Sequence, residues 1–205
     1  MAHEFNEIQV EMLETAGLAS DDARFPEGTL DRIVNRAIQR ISAIHDWPWL
    51  QTSETINTVA STQAYTPTAG WSKTIRLRYK NRDLVEYQPR DAIKYQNDTG
   101  TPVGFFIEEE QIHFVPIPDG AYTIEHVYLR REPQLVADDD EPLIPERYMD
   151  FVVWHAVMLC ASRIHDMDLY SRAREEARQW ETRIRDDVRR STGTLKVQAR
   201  DDWWI

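Results

Sequence analysis

The feature that most constrains this chain is a stretch that reads as a helix and is apolar on almost every side. Its apolar residues recur at steps of three and four between 145 and 166, and a proline stands at the first helical position. One wide stripe along this helix consists of Met149, Val152, Val153, Ala156, Val157, Cys160 and Ile164. Phe151, Trp154 and Met158 lie off that stripe, so the helix has to be covered on two sides.

The neighbouring sequence supplies cover for one of those sides. A second helix is predicted at 168–191 after almost no loop, which makes the two helices antiparallel neighbours. Its narrow apolar stripe comprises Leu169, Ala173, Ala177, Trp180, Ile184 and Val188. A narrow stripe can pack on one neighbour only, so the 168–191 helix covers one side of the 145–166 helix. The second side is covered either by the rest of its own domain or by another subunit. We favour the subunit contact and predict Phe151, Trp154 and Met158 as an oligomer interface.

The rest of the sequence predicts an α+β protein. A short helix over 4–16 ends at Gly17, and a stronger helix is capped by Thr29 and ends at Asp46, ahead of Pro48. From 51 to 131 the chain is rich in β-branched and aromatic residues, which predicts strands at 52–59, 74–79, 83–87, 103–108, 111–115 and 121–130. We expect them to form a small antiparallel sheet inserted between the helices.

These elements predict four segments. Residues 1–50 hold the N-terminal helices of a helical bundle, and residues 51–133 form the β-rich insertion. Residues 134–192 form a long C-terminal helical hairpin that completes the bundle. Residues 193–205 are predicted to be an extended docking arm.

The docking arm is predicted from an alternation that is unusual for a chain terminus. Apolar and polar residues alternate over 195–200, and three bulky apolar residues follow two acids, whereas a free tail is normally polar. The segment could fold back on its own domain. We favour an arm that adds as a strand, or inserts into a pocket, on another protein. The predicted partner-binding residues are Leu195, Val197, Trp203, Trp204 and Ile205.

No pattern in the sequence predicts a reaction. The His-Asp pairs at 45–46 and 165–166 fall at helix ends, where a histidine suits the helix dipole, and no further ligands converge on them. Three glutamates at 108–110 are typical of a solvated turn between two strands. Phosphate-loop, nucleophile-elbow and zinc-protease motifs do not occur in the sequence. We therefore predict that the protein is not an enzyme and has no catalytic residues, metal ligands or cofactor.

The charge balance argues against a protein that grips nucleic acid. The chain has 24 Lys and Arg against 35 Asp and Glu, a net charge of −11, whereas DNA readers gain most of their affinity from neutralising phosphates. The arginines between 172 and 190 are interleaved with acids, which is typical of a salt-bridged exposed face. An acidic chain suits a surface that DNA passes without sticking. No stretch approaches the ~18 apolar residues of a membrane span, so no membrane partner is expected.

In their order and spacing, four motifs resemble the head-to-tail adaptor proteins of tailed bacteriophages, which form the ring below the portal. A helix over 30–44 runs into WPWL at 47–50, and GTP at 100–102 precedes a hairpin that ends FVPIPDG at 114–120. A strand over 122–128 then leads to PQL at 133–135 and an acidic loop. LIPE at 143–146 opens the long helical hairpin, so the resemblance covers residues 25–190.

The resemblance implies a structural virion protein. Its copies would form a ring of about twelve subunits that joins the portal to the tail and extends the DNA channel. The implied partners are the portal protein, tail or neck proteins, and double-stranded DNA that passes through the lumen without sequence-specific binding. The protein would be located in the virion neck, and in the host cytoplasm during assembly, and it would take part in genome packaging and ejection.

Two other functions remain open at this level. A stopper or tail-completion protein is another neck component, but such proteins tend to be smaller or mostly β, and the long helical hairpin argues against them. A nucleic-acid-binding module would need a basic face, and the arginine-rich helix is its only support.

Overall fold

The computed structural model describes residues 4–19, 22–26, 28–95 and 97–192, apart from the side chain of Thr192. The chain divides into two compact units. Unit 1 consists of Met1–Leu50 with Glu132–Ile205, and unit 2 of Gln51–Arg131. The segment predicted as a β-rich insertion, 51–133, spans unit 2 and two further residues.

Helices make up most of unit 1. The α-helices of the described residues are α1 (Phe5–Ala16), α2 (Thr29–Ile44), α3 (Pro89–Ala92), α4 (Met149–Ile164) and α5 (Met167–Thr192), of which α3 belongs to unit 2. Short 3-10 turns lie at Pro48–Leu50, Ile93–Tyr95 and Glu146–Tyr148. Gly17 ends α1 in the left-handed conformation, as predicted. Thr29 does not cap α2, because Gly28 is the N-cap residue, and α2 ends at Ile44 rather than Asp46.

Helix α4 lies at the centre of unit 1 and packs against α1, α2 and α5. Its apolar side chains are therefore covered by three helices of the same chain, which satisfies a helix that is apolar nearly all round. Phe151 is 0% exposed and Met158 is 6% exposed. Both side chains are buried in a helix that α1, α2 and α5 contact, and their assignment to an oligomer interface stays a prediction.

The strands among the described residues belong to unit 2. In chain order they are β1 (Gln51–Asn57), β2 (Ala64–Tyr65), β3 (Trp71–Tyr79), β4 (Arg82–Asp83), β5 (Val85–Glu86), β6 (Thr99–Gly100), β7 (Gly104–Glu108), β8 (Gln111–Val115), β9 (Ile117–Pro118) and β10 (Thr123–Arg130). They form one sheet in the order β1-β10-β3-β4, a second in the order β2-β8-β7-β5, and the pair β6-β9. The core between them is Leu77, Leu84, Phe105, Ile112, Phe114 and Ile124.

The sheets depart from the sequence prediction in two ways. The prediction was one small antiparallel sheet, but β5 pairs parallel with β7 and β6 pairs parallel with β9. The two-residue strands β2, β6 and β9 were not predicted, because two residues are too few to show a period. The β7–β8 hairpin does turn at Glu109 and Glu110, which are exposed and have positive φ angles of 50° and 59°.

Candidate assembly surfaces

Two of the sequence motifs are explained by contacts inside unit 1. The indole of Trp47 is buried, donates from Nε1 to the carbonyl of Ile41 (2.6 Å) and stacks on Trp49 with ring centroids 4.6 Å apart. Trp49 in turn contacts the ring of Tyr148, whose hydroxyl donates to Asp187 of α5. The WPWL segment thus fixes the end of α2 against the start and end of the C-terminal hairpin.

The PQL motif is held by a buried asparagine of α2. The side-chain amide of Asn35 donates to the carbonyl of Leu135 (2.9 Å), and its Oδ1 accepts from the Leu135 N–H (2.8 Å). Such a two-way bond satisfies both backbone groups of a buried residue, Leu135, at 3% exposure. Both motifs therefore help to build the scaffold of unit 1.

A half-buried contact joins the end of α2 to α5 beside the tryptophan corner. His45 Nε2 lies 2.9 Å from Glu181 Oε1, and the His45 ring stands edge-on to Trp47. Burial opposes ionisation of Glu181, but the hydrogen bond from His45 and the charges of His45 and Arg185 outweigh it, so the pKa of this carboxyl is below its usual value. On α4, burial lowers the pKa of His155 to about 4, so its imidazole is neutral at pH 7.

Unit 2 contains a hydrogen-bonded chain that crosses three strands. Glu54 Oε1 of β1 lies 2.8 Å from His126 Nδ1 of β10, and His126 Nε2 lies 2.9 Å from Thr74 Oγ1 of β3. The indole Nε1 of Trp71 donates to the same Thr74 oxygen (3.2 Å). The order carboxylate, imidazole, hydroxyl is that of a hydrolase triad, which makes its accessibility the deciding observation.

These hydrogen bonds hold the three strands together and do not form a catalytic triad. His126 is 0% exposed, and burial holds its pKa below the usual value although Glu54 favours the charged form. A base with no access to solvent or substrate cannot deliver a proton to a reacting group, and Thr74 is already committed to Trp71. Within the described ranges, His, Cys, Asp and Glu nowhere gather in a group of three placed to hold a metal ion.

The predicted interface residue that keeps some exposure is Trp154. It is half-buried on α4, and the Arg172 guanidinium of α5 lies 5.7 Å from the centroid of its ring. This cation–π contact covers part of one face of the indole. Trp154 as an interface residue stays a prediction.

The predicted docking arm lies outside the described residues. Leu195, Val197, Trp203, Trp204 and Ile205 all follow Thr192, where the description ends. Their assignment as partner-binding residues stays a prediction from the alternation of the sequence. Of the helices in the described ranges, none combines a membrane-spanning length with the apolar composition that a bilayer requires.

Together these features are typical of a structural protein, because its sequence motifs build a scaffold and its buried polar groups are used in packing. The model of the SU10 adaptor protein family matches residues 7–202, nearly the whole chain, and the protein belongs to that family. It is therefore a bacteriophage adaptor protein, a component of the virion with a structural rather than enzymatic role. No curated protein matches the sequence. The resemblance to phage adaptors is confirmed at this level.

Proposed function

We propose that this protein is the head-to-tail adaptor of a tailed bacteriophage. Its copies form a ring of about twelve subunits that joins the portal to the tail and extends the DNA channel. The observation that carries the proposal is the family match over residues 7–202, which covers both units of the chain. The order of motifs along 25–190 points to the same place in the virion.

The fold supports a role as a rigid joint. We interpret unit 1 as a helical bundle completed by the α4–α5 hairpin, with unit 2 as an inserted β-rich subdomain. Rigid elements hold interaction surfaces in place more accurately than loops do. The contacts of Trp47 and of His45 with Glu181 restrain the C-terminal end of α2, and Asn35 holds Leu135 against the middle of α2.

The partners follow from the chemistry of the surfaces. The alternating segment 193–205 would bind the portal, where strand addition supplies backbone hydrogen bonds and the terminal tryptophans supply apolar area. Tail or neck proteins would bind the opposite end of the ring. The net charge of −11 supports a lumen through which DNA phosphates pass without being held.

The test is reconstitution with the portal ring of the same phage. Purified protein is mixed with portal rings, and the complex is measured by light scattering and imaged by electron microscopy. We expect a ring of this protein on one face of the portal. A chain that binds tail proteins but not portal rings would instead be a stopper or tail-completion protein. Strong, salt-dependent binding of DNA by the isolated chain would favour a nucleic-acid-binding module.

A further inference from the structure

The β3–β4 hairpin of unit 2 concentrates positive charge in an acidic protein. Five of the ten residues from 73 to 82 are Lys or Arg, although the whole chain has a net charge of −11. Arg78 is neutralised by Asp83 (3.2 Å) and lies 3.8 Å from Glu125. The other four cations of the hairpin are exposed. We define the hairpin patch as Lys73, Ile75 and Arg76, because Arg82 pairs with Tyr79 and so lies on the other face of the sheet.

The hairpin patch has an apolar residue at its centre. Tyr128 pairs with Thr74 and Val127 pairs with Arg76, so Ile75 is the extra residue of a β-bulge. A bulge re-aims side chains and interrupts pairing. Ile75 is 44% exposed between the cations of the same strand. Exposure of an aliphatic side chain to water is unfavourable. An exposed aliphatic side chain inside a charged rim is the arrangement of a protein-binding surface.

Unit 1 carries a patch of the same design and opposite charge. Between β10 and α4, Val136 is 79% exposed and is followed by the acids Asp138, Asp139 and Glu141, all exposed. We define the loop patch as these four residues. It therefore presents one aliphatic side chain beside three negative charges.

The loop patch is held in place rather than left to solvent. The Asp140 carboxylate accepts from the N–H groups of Val136 (2.6 Å) and Ala137 (2.9 Å), which holds the pKa of this carboxyl below its usual value. The carbonyls of Asp138 and Asp140 accept from the first N–H groups of α1, at Asn6 and Phe5. Because the loop satisfies these helix donors, it is preorganised for binding.

We propose that the hairpin patch of one copy binds the loop patch of the next copy in the ring. A ring needs a heterologous contact, in which each copy carries two different and complementary surfaces. The two patches match in charge, and each offers an aliphatic residue to the other, Ile75 against Val136. DNA phosphates would fit the cations but would leave both aliphatic residues and the loop patch without a partner. The inference rests on the proposed ring.

A directional cross-link tests the contact. One preparation carries Ile75→Cys, another Val136→Cys, and the two are mixed with a short bismaleimide. The native thiol of Cys160 is buried, and burial raises its pKa to about 11, so it does not compete. We expect covalent dimers in the mixture and none from either variant alone. The matched control pairs Val59→Cys with Val10→Cys, which are also exposed and also lie one in each unit.

Charge reversal tests the energetics. Lys73→Glu with Arg76→Glu, or Asp138→Lys with Asp139→Lys, should weaken self-association at least roughly tenfold at low salt, because like charges then face each other. Combining all four changes in one chain should restore association. Arg90→Glu, an exposed cation of unit 2 outside the patch, should have no effect.

The outcomes separate this inference from the proposed function. If the wild-type protein forms no ring, either alone or in the presence of portal rings, the proposed ring is wrong and the proposed contact is wrong as well. If it assembles, but the cross-link matches the control pair and the reversed chains assemble equally well, only the contact is wrong. If the reversed hairpin assembles normally but binds labelled duplex DNA less tightly than wild type, the hairpin is a DNA surface and the contact is again wrong.

Discussion

Units 1 and 2 each bury a histidine, and they do so in different ways. His155 of α4 lies edge-on to Phe151 with ring centroids 4.8 Å apart, and burial is the largest cause of its lowered pKa. His126 of β10 is bonded through both ring nitrogens to neighbouring strands. The difference reflects the two architectures. Unit 1 is organised around one apolar helix, whereas unit 2 is organised by specific cross-strand pairs in a smaller core.

The largest expected effect comes from the centre of unit 1. Phe151→Ala removes a fully buried ring at the contact between helices and should lower the free energy of unfolding by about 3–5 kcal/mol. Trp154→Ala, one turn away but half-buried, should cost about 1–2 kcal/mol, chiefly the contact with Arg172. Urea unfolding followed by far-ultraviolet circular dichroism measures both.

Assembly assays on the same two variants sharpen the comparison. If Trp154 faces another subunit, Trp154→Ala should reduce ring formation while the monomer stays folded. Equal losses of stability for the two variants, with normal assembly of Trp154→Ala, would place Trp154 in the core of unit 1 together with Phe151.

The second effect is a pH dependence of unit 1. The folded-state pKa of His155 is about 4, below the ordinary value of 6.5, so protonation favours the unfolded chain. Its contribution is complete above about pH 6.5 and is lost as the pH falls through 4, and the shift corresponds to roughly 3 kcal/mol. Urea unfolding of wild type and His155→Leu at pH 7.5, 5.5 and 4 measures it.

The His155→Leu variant should flatten this dependence, since its core has no group to protonate. Carboxylates remote from His155 titrate alike in both proteins, so the difference between the two curves reports His155 together with Glu181, whose charge acts on it. If the stability of the two proteins changed with pH in parallel, His155 would have the same pKa in the folded and unfolded states. The contrast with His126 would then be wrong.

The third effect tests how closely unit 2 is packed. A Cβ at Gly104, where β7 begins, would lie 2.3 Å from the Tyr87 ring and 2.6 Å from the carbonyl oxygen of Val85. Because the backbone cannot yield as a flexible side chain does, Gly104→Ala should destabilise unit 2 by about 1–3 kcal/mol. Gly120→Ala is the matched control, since a Cβ there meets nothing within 4 Å. Hydrogen exchange of the β7 and β8 amides measures the effect, and equal protection in both variants would contradict it.

The sequence predicted the helices of unit 1 well because each is long enough to show its period. Helix α5 was predicted at 168–191 and runs over Met167–Thr192. What the sequence could not assign was the partner of each apolar stripe. The stripe of α1 at Phe5, Ile8, Met12 and Leu13 covers α4, more than 130 residues later in the chain, and nothing local indicates that pairing. The prediction of Phe151 as an interface residue was made without this pairing.

The candidate surfaces were harder to predict for a related reason. Glu54 and His126 are 72 positions apart, and only the register of β1 on β10 brings them together. The charge of the β3–β4 hairpin is visible in the sequence, but the bulge that exposes Ile75 is not, because it depends on how β10 pairs with β3. The acids at 138–141 were predicted as a solvated loop, and the structure adds that their backbone carbonyls hold the start of α1.

The smallest expected effect on folding, and the sharpest on function, comes from deleting residues 194–205. This test asks whether the segment contributes to the stability of unit 1 or acts only as an arm. As an arm it has no contacts to lose within its own chain, so the melting temperature of the truncated protein should stay within about 1 °C of wild type. Attachment to portal rings should be lost, because the two tryptophans would each contribute on the order of 2 kcal/mol and a ring multiplies every contact. A full-length variant with Trp203→Ala and Trp204→Ala keeps the backbone of the arm but removes its apolar side chains. Partial attachment of this variant to portal rings would mean that backbone pairing also contributes to binding. A truncated chain that attaches normally, or that melts several degrees lower, would show that residues 194–205 are an ordinary part of unit 1.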